Sequence, residues 1–206
     1  YSYPTAALLK RLDNDTSGTI NAQFITAIKG KASDLITIYA SSGISNLGNE
    51  AINITSGTAT TSQANTLAAA TSGIVTATIS DTAMATLAGL TETGNAYTMT
   101  VTDASVSASA LNTLDSKTTV TVIAIAVNTI TGTAADINTA YTSNAAGTIT
   151  GLGNESVTIT DTSINASALI TLDALTTGVV NAAAVATITG TVAQLTSVFT
   201  ANAATP

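Results

Sequence analysis

The sequence predicts an α/β repeat solenoid of short parallel strands and short helices, on three observations. First, Thr100–Asn144 recurs without a gap as Thr158–Asn202, and a constant offset of 58 carries Asp103 onto Asp161. Second, an earlier copy matches at offset 102: Leu12-Asp13, Thr16, Ile20, Ala22, Ile28, Gly30, Asp34 and Tyr39 fall on Leu114-Asp115, Thr118, Val122, Ala124, Ile130, Gly132, Asp136 and Tyr141. Third, period-two stretches alternate with Ala-x-x-Leu-x-x-Leu pieces inside each copy. We expect one array over residues 1–206, with approximate copies at 6–54, 55–99, 100–157 and 158–206. The alternative is a row of all-β sandwich modules, which Thr-rich alternating strands would suit. The recurring Ala-x-x-Leu-x-x-Leu pieces argue against it.

Each copy reads in the same order. Tyr97, Met99 and Val101 alternate with Thr98, Thr100 and Thr102, as Val157 and Ile159 do with Thr158 and Thr160. Alternation of β-branched and polar residues predicts a half-buried strand, closed by Asp103 or Asp161. Ala108, Leu111 and Leu114, like Ala166, Leu169 and Leu172, then repeat every third residue and predict a helix of two to three turns. Ser163 or Asn165 is placed to cap it, and Thr176-Thr177-Gly178 to end it with a left-handed glycine. Val120–Val127 and Val179-Val180 read as a second strand, and Thr187-Ile188-Thr189-Gly190 as a turn. Thr133–Asp136 and Thr191–Gln194 have capping-box spacing. Ile137 with Tyr141, and Leu195 with Phe199, then share a helix face. The loop Gly-Leu-Gly-Asn-Glu (Gly151–Glu155) leads to the next strand. Its earlier form, Leu47–Glu50, matches at offset 105, so we expect three residues inserted in the later loop around Asn144–Thr148. The second copy is the most degenerate: Leu67 and Thr71-Ser72-Gly73 match Leu12 and Thr16-Ser17-Gly18 at offset 55, and Ser80–Leu90 supplies a helix-like piece. Strands stacked about 4.8 Å apart, with helices on the other side, give the architecture of leucine-rich repeats, although that signature is absent.

Composition excludes several roles. Only 8% of residues are charged, against roughly 25% in an ordinary soluble chain. Twelve acids face five bases (Lys10, Arg11, Lys29, Lys31 and Lys117), leaving no basic face for nucleic acid or an anionic membrane. There is no Cys, His or Trp. That removes disulfides, thiolate nucleophiles and the usual general base. No apolar run approaches the roughly 20 residues of a membrane helix. Because Tyr1 is not a start methionine and Pro206 falls mid-repeat, we expect a processed chain or a piece of a larger one.

Five features bear on chemistry. Asp13-Asn14-Asp15-Thr16-Ser17-Gly18 has the spacing of a calcium loop, with Asp13, Asp15 and Ser17 as ligands. Position 12 is Phe24 where a bidentate acid is needed, and the other copies cannot chelate, so an ordinary turn is the stronger reading and no cofactor is expected. Asp81, Asp103 and Asp161 end equivalent strands; capping of the following helix or turn is preferred to a cation ladder. Thr98, Thr100, Thr102, Thr158 and Thr160 offer a hydroxyl face for ice or glycan, or simply a solvated strand. Asn14, Asn53, Asn154 and Asn165 head glycosylation sequons that a Thr/Ser-rich chain produces by chance. Glu50 and Glu155 are read as equivalent repeat features, not a catalytic pair. We assign no catalytic, cofactor or metal residue and expect no enzyme.

The units Thr-Ile-Thr-Asp-Thr-Ser-Ile-Asn-Ala-Ser-Ala-Leu-Ile-Thr-Leu-Asp and Thr-Ile-Thr-Gly-Thr-Ala-Ala-Asp-Ile-Asn-Thr-Ala-Tyr resemble low-complexity Thr/Ala-rich repeats of very large bacterial, notably cyanobacterial, cell-surface or secreted proteins. The resemblance implies an extracellular structural or adhesive role: a segment of a surface layer, fibre, filament or adhesin that self-associates as a rigid scaffold. Its partners would be copies of itself or further repeats. The alternative is a binding module using its sheet face for glycan, ice or a protein partner.

Overall fold

A computed structural model describes the backbone of residues 3–204 and the side chains of residues 3–201. Tyr1 and Pro206 lie outside the described residues, as does the side chain of Asn202. The chain is an α/β protein of repeated short strand–helix units in parallel sheets. It divides into two compact bodies, Tyr1–Thr100 with Ser116–Val122 and Val101–Asp115 with Ile123–Pro206.

The N-terminal body runs α1 (Ala6–Asp15), β1 (Ile20–Asn21), β2 (Ala27–Gly30), α2 (Ala32–Tyr39), β3 (Ile44–Ser45), β4 (Ala51–Ile54), α3 (Thr61–Ala70), β5 (Val75–Thr78), the one-turn α4 (Met84–Leu87) and β6 (Ala96–Thr100). β2, β4, β5 and β6 pair in that order, all parallel, with Ile28 opposite Ile52, Ile52 opposite Val75 and Ala77 opposite Tyr97. β1 and β3 form a separate parallel pair. α1 packs on α2 and α2 on α3. Alternation sets the faces: Val75 and Ala77 are buried while Thr76 and Thr78 are exposed.

In the C-terminal body come β7 (Ser105–Ser107), α5 (Ala108–Asp115), then, after the short β8 (Val122–Ile123), β9 (Thr129–Gly132), α6 (Ala134–Ala146), β10 (Ile149–Thr150), β11 (Ser156–Ile159), β12 (Ser163–Asn165), α7 (Ala166–Asp173), β13 (Val180–Asn181), β14 (Thr187–Thr189) and α8 (Val192–Ala204). β7, β9, β11 and β13 form a parallel four-stranded sheet, and β12 pairs with β14. The helices pack in sequence, α5 on α6, α6 on α7 and α7 on α8. Ala108, Leu111, Leu114, Ala166, Leu169 and Leu172 are all buried, as their three-residue spacing requires.

Small residues let helix and sheet approach. A Cβ on Gly30, Gly132 or Gly190 would come within 3.0, 3.1 and 3.0 Å of the Cβ of Ala6, Ala108 and Ala166. One helix start thus lies against one strand end at the same place in three copies. The left-handed position before each Gly-Asn-Glu loop is filled by Asn46 (φ 61°) in one body and Gly151 (φ 98°) in the other, the residue types that tolerate it.

Four expectations are corrected. Thr187–Thr189 is a strand, not a turn, and its counterpart β9 lies inside a sheet with Ile130 fully buried. A single inward residue flanked by two Thr, then Gly, imitates a turn. The apolar runs Val120–Val127 and Val179-Val180 yield only the two-residue strands β8 and β13, with Ile125 70% and Val179 64% exposed. The three extra residues do not lengthen a loop: α6 reaches Ala146 and ends on left-handed Gly147, whereas α2 stops at Tyr39. Gly178 is not left-handed. It is needed because a Cβ there would overlap the carbonyl oxygen of Glu155 at 2.2 Å.

Candidate functional site

The most elaborate polar arrangement occurs once in each body, at equivalent residues. In the N-terminal body it joins the end of α2, the loop before β4 and the turn after α3. Glu50 is fully buried. Its Oε2 accepts from the Tyr39 hydroxyl at 2.8 Å and from the Gly48 N–H at 2.8 Å. Its backbone oxygen accepts from the Thr71 hydroxyl at 2.7 Å, and Thr71 Oγ1 in turn accepts from the Gly73 N–H at 3.0 Å. Ser72 N–H donates to the Gly48 carbonyl at 2.8 Å. A Cβ on Gly73 would stand 2.2 Å from the Glu50 oxygen, so this contact exists only because residue 73 lacks one.

The C-terminal body repeats the set. Glu155, also fully buried, accepts from the Tyr141 hydroxyl at 3.0 Å. The Gly153 N–H is shared between its Oε1 and Oε2, at 3.1 and 2.8 Å. Thr176 donates to the Glu155 carbonyl at 2.6 Å and accepts from Gly178 at 3.0 Å. One difference separates the joints: Glu50 Oε1 is buried without a hydrogen-bond partner, while Glu155 Oε1 has one.

Chemically the joint is a latch. A buried carboxylate is costly unless donors surround it, and each phenol here is committed to that task. Burial first, and the adjoining glutamate next, push Tyr39 above the ordinary tyrosine range. Burial pushes Tyr141 up as well, with the charge of Glu155 adding to it. The hydroxyls therefore stay protonated donors at neutral pH. Each joint ties the end of one helix to the turn after the next, across an intervening loop.

Two of the three strand-end aspartates, Asp81 and Asp161, cap helices, but not the following ones. Asp81 Oδ2 accepts from the Thr61 N–H at 2.7 Å, at the start of α3, and Asp161 Oδ2 accepts from the Ala134 N–H at 2.7 Å, at the start of α6. Each caps the first turn of the helix that precedes it in the chain and neighbours it in space. The local correspondence of Asp and following helix could not reveal this. Asp103 holds interactions of its own. Asn165, not Ser163, caps α7 through the Ser167 N–H at 2.9 Å. Thr191 and Gln194 bond reciprocally, and Thr60 with Gln63 forms a further capping box in the degenerate second copy.

Asp13 and Asp15 lie within α1, and Asp13 accepts from the Ser41 hydroxyl at 2.6 Å. That places them on a helix rather than on a loop folded around an ion. Among the described residues no three acids converge as a metal site would require. Thr98 lies beside Thr78 on an exposed face. In the C-terminal body the register aligns Ser105, Thr129 and Ser156 in one outward row and Ser107, Thr131, Thr158 and Asn181 in a second. Of the sequon asparagines, Asn154 sits exposed in a loop, Asn14 in α1, Asn53 in β4, and Asn165 is engaged as a cap. Among the described residues no helix is long and apolar enough to cross a membrane.

Compared with protein-family models, curated proteins and solved structures, the chain matches none.

Proposed function

We propose that the chain is a non-enzymatic structural repeat segment of an extracellular or cell-surface assembly, a surface layer, fibre, filament or adhesin. In this reading the strand–helix units continue as one solenoid of leucine-rich-repeat-like architecture. The observation that carries it is the twice-built Tyr–Glu–Thr–Gly joint, which spends buried polar groups on fixing one unit to the next. Successive units with fixed spacing make a stiff rod, and an outer surface of Thr, Ser and Asn keeps it hydrated with few charges. Small-angle scattering of the monomeric fraction tests this. An elongated particle is expected; a compact sphere overturns the scaffold.

The two hydroxyl rows of the C-terminal body favour a second reading, a binding module for glycan, ice or a protein partner. A glycan array and an ice-recrystallisation assay separate the two. Retention of a glycan or inhibition of recrystallisation supports binding, and silence in both with an elongated particle leaves the scaffold.

A further inference from the structure

The frame of the joint is built a third time, inside the N-terminal body, with its latch missing. At an offset of 47, Gly48, Glu50, Thr71, Ser72 and Gly73 fall on Asn95, Tyr97, Thr118, Thr119 and Val120. The contacts to the backbone are kept. The Thr118 hydroxyl donates to the Tyr97 carbonyl at 2.9 Å, as Thr71 does to Glu50, and the Thr119 N–H donates to the Asn95 carbonyl at 2.8 Å, as Ser72 does to Gly48. The side-chain latch is not. Tyr97 is 1% exposed, and its hydroxyl is buried without a hydrogen-bond partner. The helix before this joint is the single turn α4, where α2 has eight residues. Leu87 and Leu90 take the places of Leu35 and Ile38, all four buried, so Thr91 falls where Tyr39 stands, and it is exposed. Val120 carries the Cβ that Gly73 must lack, so the close seat of Gly73 against the Glu50 carbonyl is not repeated.

We propose that this middle joint is a yield point: α4 and the Ser116–Val122 segment release from β6 by reversible local opening while the first joint stays shut. The sign follows from what is missing. Exchanging both partners of a buried polar pair for apolar groups can be neutral. Keeping one partner and losing the other leaves a desolvated group unsatisfied, which is the costly case. Tyr97 is that case. In the first joint the Tyr39 hydroxyl ties the end of α2 to Glu50 at 2.8 Å, and Tyr97 receives no such tie from the end of α4. A one-turn helix also holds itself poorly, because fixing the first turn costs more than its hydrogen bonds return. Local opening draws on the segments with the fewest such holds. The yield point belongs to the fold whether or not the chain is a scaffold; in a scaffold it is where strain would be released.

Amide hydrogen exchange of the folded 206-residue chain tests this at Ser72 and Thr119, whose N–H groups make equivalent bonds of 2.8 Å in the same body. With intrinsic rates divided out, Thr119 is expected to exchange at least about tenfold faster than Ser72. Two conservative variants identify the cause, with circular dichroism verifying the fold. Tyr97→Phe removes the unpartnered hydroxyl and is expected to slow Thr119 by about threefold or more. Tyr39→Phe unfastens the first joint and is expected to speed Ser72 by at least about fivefold. Equal protection of Ser72 and Thr119 in the wild type overturns the proposal. So does a Tyr97→Phe chain in which Thr119 is unchanged or faster, because the hydroxyl then costs the joint nothing. A Tyr39→Phe chain with Ser72 unchanged overturns it too, since the latch is then not what separates the two joints.

Discussion

Tyr141 and Glu155 show how much rests on one pair of side chains. Removing the hydroxyl in Tyr141→Phe leaves Glu155 with the Gly153 N–H alone, and we expect a loss of about 1–3 kcal/mol by chemical denaturation. Glu155→Ala strands two donors at once and should cost more, on the order of 3 kcal/mol. Gly178→Ala drives a methyl into the Glu155 carbonyl and should cost about 1–3 kcal/mol. Gly18→Ala is its control: only Thr16 Oγ1 lies near, at 3.6 Å, so the change should be neutral or stabilise by about 0.4–1 kcal/mol. Alkali tests the same phenols. Tyr97 is pushed up to about 12 by burial and then by the charge of Glu92, and Tyr39 and Tyr141 are raised beyond it, mainly by burial. In the unfolded chain tyrosine loses its proton near pH 10. Above that pH the unfolded state binds fewer protons than the native state, so stability is full below about pH 10 and falls as pH rises toward 12. Denaturation midpoints that stay flat across that window would contradict this assignment.

At the scale of elements, much was legible and the reason is periodicity. Ala166, Leu169 and Leu172 announce α7 because a helix returns to one face every three to four residues, and Val157 and Ile159 announce β11 because a strand returns every two. β14 was not legible as a strand, since Thr187–Thr189 has one inward residue and no period to read. Neither was the partner of a cap: Asp161 lies 27 residues from Ala134, and only the stacking of units brings them together. The latch was half visible. Tyr39 and Tyr141, and Glu50 and Glu155, recur in register, but nothing in the sequence says that they touch. The cap is testable on its own: Asp161→Ala leaves the Ala134 N–H unpaired at the start of α6 and should cost about 0.5–2 kcal/mol, while Asn165→Ala should cost a similar amount at α7. Equal stability of Asp161→Ala and wild type in a urea titration would show that the distant cap contributes nothing.

For the molecule as a whole, stability in an array is the sum of weak units and the interfaces between them, so a unit covered on one side only should open first. α6 has a neighbour on each side, with Ile137 and Ala140 fully buried, whereas α8 leaves Val192 82% and Phe199 63% exposed. Amide hydrogen exchange, followed residue by residue, measures this directly. α8 is expected to exchange at least about tenfold faster than α6 in this chain, a difference of roughly 1.4 kcal/mol or more. Equal protection of α8 and α6 would contradict it.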